Sequence, residues 1–72
     1  MNNEESIQIK ANGKLCSLKK GQLIPDFFKC KNIDLGTVII ERNGVALTPG
    51  EILNTKLEQD DKLEIVRIVA GG

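Results

Sequence analysis

Apolar and polar positions alternate from Ser6 to Ala11, with Ile7, Ile9 and Ala11 on one face and Gln8 and Lys10 on the other. That period of two predicts a half-buried strand. Asn12-Gly13 follows, and because both central positions of a tight hairpin turn need φ > 0, this dipeptide predicts a hairpin. Residues 15–18 then form the returning strand, with Cys16 and Leu18 favoured over Leu15 as the inward pair. After Lys19-Lys20-Gly21 the period changes. Ile24, Phe27 and Phe28, spaced i, i+3, i+4, share one face of a helix that tolerates Pro25 only in its first turn. Asp26 lies near the positive end of that helix dipole, and Lys29 and Lys31 near its negative end. A helix of about two turns is unstable alone and must pack on a sheet. Residues 32–36 read as a linker and Val38-Ile39-Ile40 as a third strand ended by Asn43-Gly44. Val45, Ala46 and Leu47 make a brief fourth strand stopped by Pro49-Gly50. Residues 51–61 read as a long crossing loop with one turn of helix, and Asp60-Asp61 introduces a final strand over residues 62–69.

That last strand is apolar on both faces after Glu64, as strands central in a sheet usually are. Val66 and Ile68 then have two readings, cover beneath the 51–61 loop or, together with Val69, an exposed patch on which a partner docks. If the first and last strands are parallel neighbours, the intervening chain supplies the long crossover that parallel pairing requires. The expected fold is therefore α+β, a β-grasp (ubiquitin-like) mixed sheet of about four to five strands wrapped around one short helix. Residues 6–69 form the domain, residues 1–5 a disordered N-terminal extension, and residues 70–72 a flexible diglycine tail.

Seventy-two residues leave room for one modest core and for no substrate pocket of the chain's own. Ten basic and ten acidic side chains, interspersed, argue against nucleic acid, and the only aromatics, Phe27 and Phe28, belong to the helix face. No apolar run approaches a membrane span, and no secretory leader pattern opens the chain, so the reading is cytoplasmic without membrane association. Cys16 and Cys30, inside elements, are expected to be small buried thiols in a reducing compartment. Without His, two Cys build no metal site and no activated nucleophile, so no catalytic residue and no bound cofactor is expected.

Chemistry concentrates at the end, Val69-Ala70-Gly71-Gly72. Two glycines contribute nothing to a core and make a thin tail. Such a pair arises at a terminus by chance in about one chain in 200, which favours a purpose. An ionised terminal carboxyl is a poor electrophile until its oxygen becomes a leaving group, which ATP-dependent adenylation by a second enzyme would achieve. Side chains absent at Gly71 and Gly72, with only a methyl at Ala70, would let the tail enter a narrow channel.

Asp61-Lys62-Leu63-Glu64-Ile65-Val66, running to Val69-Ala70-Gly71-Gly72, resembles the ending of the ThiS family of sulfur carrier proteins, in which an acidic turn, a strand of the type IEIV and a VAGG or VGGG tail follow one another. Val38, Ile40 and Glu41-Arg42-Asn43-Gly44 are similar to that family's third strand and turn, and the resemblance spans residues 7–72. It implies that Gly72 is adenylated by a ubiquitin-activating-enzyme-like adenylyltransferase (ThiF type) using ATP and Mg²⁺. The carboxylate would then become a thiocarboxylate, with sulfur from cysteine supplied indirectly by a cysteine desulfurase. Thiazole synthase (ThiG type) would receive that sulfur for the thiazole of thiamin. Three departures stand out: Asp60 where the family usually has Gly, Lys31 where it tends to be apolar, and the additional residues 1–5. Two other readings stay open. One is a molybdopterin synthase small-subunit-like carrier, disfavoured by Arg67-Ile68 where a Pro-Pro pair is typical, and the other is a ubiquitin-like modifier or interaction module.

Overall fold

Both Asn-Gly pairs form the turns expected of them, with positive φ at Asn12 (52°), Gly13 (81°), Asn43 (53°) and Gly44 (86°). The computed structural model describes residues 5–68. Residues 1–4, most of the expected 1–5 extension, and Val69, Ala70, Gly71 and Gly72, with the expected tail, lie outside the described residues, while Glu5 bonds Lys20 through its carbonyl and its carboxylate. The first turn joins β1 (Ser6–Ala11) to β2 (Lys14–Lys19), paired from Ser6↔Lys19 to Ala11↔Lys14. Helix α1 (Ile24–Lys31) follows, then a 3₁₀ turn (Leu35–Thr37), β3 (Val38–Arg42), β4 (Val45–Ala46), α2 (Pro49–Asn54) and β5 (Lys62–Arg67). The sheet order is β2-β1-β5-β3-β4, with β5 parallel to β1 and antiparallel to β3. The last strand is thus central, and the first and last strands pair in parallel, as the pattern predicts.

α1 starts where the Asp26 carboxylate accepts from the N–H of Leu23 (3.1 Å) and ends at Asn32 in the left-handed region (φ 60°). It presents Ile24, Phe27 and Phe28 to the sheet, where they meet Ile7, Ile9, Ile40 and Leu63. Cys16 and Leu18 face this core half-buried, and Leu15 points outward.

Three expectations need correcting. The fourth strand does end before Pro49-Gly50, but that pair then forms the first turn of α2 where a crossing loop was expected, so the sheet carries two helices, one of them six residues long. Thr48 accepts from the N–H of Glu51 (3.2 Å), while the Glu51 carboxylate accepts from the N–H of Thr48 (2.8 Å). This is a reciprocal cap with Pro in the position where its missing N–H costs nothing. The 32–36 linker runs into the 3₁₀ turn, because the Asp34 carboxylate captures the N–H of Gly36 at 2.9 Å. Finally, Cys30 is exposed, since it lies on α1 away from the Ile24–Phe27–Phe28 face, and only Cys16 packs partly against the core.

Candidate functional site

β5 leads into the tail residues, so what holds β5 decides how firmly the tail is anchored. The ladder with β1 covers Lys10↔Lys62 and Ala11↔Leu63 and would stop where β1 turns. Asn12 extends it. Its backbone N–H donates to the Leu63 carbonyl (2.9 Å), its side-chain oxygen accepts from the Ile65 N–H (2.7 Å), and its side-chain NH₂ donates to the Ile65 carbonyl (3.1 Å). The amide of Asn12 thus imitates one more peptide of the neighbouring strand. On the other flank Asn43 does similar work: its N–H donates to the Lys62 carbonyl (2.8 Å), and its side-chain oxygen accepts from the Lys62 N–H (2.9 Å). Sequence reading identified both asparagines as turn formers and missed this role, because their partners are remote in the chain.

Asp61, at the foot of β5, is 4% exposed. Its carboxylate accepts from the N–H of Glu58 (2.8 Å), the side chain of Asn43 (3.0 Å) and Nε of Arg42 (2.9 Å). Burial pushes its pKa up, but the Glu58 N–H, the Asn43 amide and the Arg42 guanidinium outweigh that and hold it below the ordinary carboxylate value. In the turn into β5, Asp60 itself adopts φ +71°.

Of the residues expected to dock a partner, Val66 and Ile68 are exposed, at 55% and 51%, and Val69 lies outside the described residues. Val66 sits directly opposite Ile39 (49% exposed) on the face away from α1. Ile68, whose N–H donates to the Thr37 carbonyl (2.8 Å), lines a groove of about 460 Å³ with Leu35, Val38, Leu47, Ile52 and Leu53. Val66 and Ile68 are therefore exposed rather than covered by the 51–61 segment. Ile39 was missed although the run Val38-Ile39-Ile40 signals it, since alternating strand residues cannot all face one core, and Leu53 was missed with α2. Next to Ile39 and Val66, Glu41 and Glu64 lie opposite each other, both exposed. Like charges in register destabilise a sheet.

Among the described residues no cluster of His, Cys, Asp or Glu could hold a metal ion, and no helix is long and apolar enough to cross a membrane. What the geometry offers is an anchored central strand with an apolar, acid-rimmed surface beside its outgoing end.

A five-stranded mixed sheet grasping α1, with its last strand central, defines the β-grasp class. Within that class the chain belongs to the ThiS family, whose model matches residues 2–72. Among solved structures, thiamine biosynthesis protein (ThiS) from Geobacter metallireducens is similar over 92% of this chain and 100% of that one, with a TM-score of 0.78. The two are 19% identical, so this likeness speaks for the fold. No curated protein sequence matches the chain.

Proposed function

We propose that the chain is a sulfur carrier for thiamin biosynthesis, a protein co-substrate rather than an enzyme. The observation that carries this reading is a β5 anchored on both flanks and leading straight into Val69-Ala70-Gly71-Gly72, in a chain whose family match extends through residue 72. A carrier must keep its body folded while its end enters other proteins. Its own residues supply that anchor and, in Ile39, Val66 and Ile68, an apolar surface on which a partner gains binding energy.

The chemistry belongs to partners. An adenylyltransferase of the ThiF type, holding ATP and Mg²⁺, positions the Gly72 carboxylate on the α-phosphorus, and pyrophosphate leaves. A persulfide sulfur, derived from cysteine by a desulfurase, displaces AMP from the acyl-adenylate. A thiol then cleaves the S–S bond, leaving the thiocarboxylate, and thiazole synthase of the ThiG type accepts its sulfur. Small residues at Ala70, Gly71 and Gly72 suit two successive narrow sites.

Intact-mass analysis after incubation with a purified adenylyltransferase of this type, ATP, Mg²⁺ and a persulfide donor tests the reading. It expects one oxygen-to-sulfur replacement, localised to Gly72. Deleting Gly72 should abolish the product and leave thermal unfolding unchanged. Lysine adducts of larger mass, or an inert terminus, would refute the assignment.

A further inference from the structure

The hydrogen bonds of β5 divide by parity. Ile68 N–H to Thr37 at one end and Asn43 N–H to Lys62 at the other assign the backbone groups of even-numbered residues to the β3 side. Odd-numbered residues turn theirs toward β1, where Leu63 and Ile65 are taken by Asn12. Arg67 is next, and by then β1 has left through the Asn12-Gly13 turn. Among the described residues no backbone or side chain meets the N–H and C=O of Arg67 on that side. Beside this vacated lane, between α1 and the turn, opens a cleft of about 340 Å³. Its apolar wall includes Phe27 and Ile65, and Lys14 and Lys31 add charge to its lining, the Lys31 ammonium lying 5.8 Å from the centre of the Phe27 ring.

We propose that the activating enzyme adds an extended strand of its own in this lane, pairing with Arg67. The proposal rests on the carrier reading above and names how the outgoing end of β5 is held during activation. An unpaired strand edge is a template for another strand, with main-chain bonds for affinity and pockets for alternate side chains. Here the cleft takes an apolar side chain of the incoming strand, and the two lysines favour an acidic residue beside it.

The test uses the chain made by total synthesis, with and without a methyl on the Arg67 amide nitrogen, together with the Lys14→Glu/Lys31→Glu variant and a purified ThiF-type adenylyltransferase. In the free chain the Arg67 amide should exchange quickly with solvent, and enzyme should slow it at least about tenfold, as for a newly paired strand amide. Methylation at Arg67 should lower kcat/KM for adenylation about tenfold, the effect of losing one good hydrogen bond, without changing the unfolding midpoint. Methylation at Ile68, which breaks the Thr37 bond, should lower that midpoint. The charge-reversed variant should fold normally and lose kcat/KM. If the enzyme adenylates the chain while Arg67 exchange stays fast, or activates the methylated chain at full efficiency, the added strand is refuted and the carrier reading stands. Protection of Arg67 by a second copy without enzyme also refutes it. If the unmodified chain is never adenylated, the carrier reading falls, and the added strand with it.

Discussion

Two adjacent aspartates at the foot of β5 have opposite fates. Asp60 holds φ +71°, a region that is costly for any residue with a Cβ. Asp60→Gly removes that cost, against the loss of an exposed contact from Gln59, and should stabilise the fold by about 1 kcal/mol in chemical denaturation. Asp61 is buried and bound by three donors. Because its folded-state pKa is lowered, its contribution to stability is complete above the unfolded value near 4 and is lost as pH falls through the lower folded value. Asp61→Asn should cost about 2 kcal/mol at neutral pH and flatten the acid limb of a stability-versus-pH curve. Which of the two carboxylates is buried was not legible in the sequence. The answer depends on Arg42 and Asn43, 19 and 18 residues away, brought there by the β3–β5 pairing.

At the scale of elements, local pattern was a good guide wherever the deciding contacts were also local. The Asn-Gly hairpin, the parity of β2 and the Ile24–Phe27–Phe28 stripe all followed from spacing. α2 was missed at its start because Pro-Gly reads as a breaker, whereas Thr48 and Glu51 around it make a cap. Thr48→Ala should cost about 1 kcal/mol and leave the sheet intact by circular dichroism. The same limit hid the asparagine anchors. Asn12→Gly keeps the left-handed turn while removing the amide that mimics a peptide, so it should cost about 1 kcal/mol and speed exchange at the Ile65 amide. Had the turn alone mattered, the glycine would be neutral or better.

For the molecule as a whole, the two-sided apolar pattern placed β5 in the middle of the sheet, where it is, although its second apolar face is exposed rather than covered. The family was legible in the residues from Asp61 to Val66 and in the diglycine ending. The surrounding surface was only half legible: Val66 and Ile68 were in view, whereas Ile39 and Leu53 became visible once the register and α2 were known. Because Ile39 and Val66 are half exposed in the free chain, Ile39→Glu or Val66→Asp should change stability by about 0.5 kcal/mol or less. Either should raise the KM for adenylation tenfold or more, as loss of a central apolar anchor does. Unaltered kinetics with both variants folded would move the docking surface elsewhere.

The position of β5 has a mechanical consequence. A pull on the carboxyl end runs along a strand bonded to β3 on one flank and to β1 and Asn12 on the other. Those bonds lie across the direction of force and share the load, because β5 has a neighbour on each side, whereas the margin strand β2 has one. A load entering at the Arg67 end is therefore shared by the strands on both sides of β5 and spread through the sheet rather than borne by one ladder.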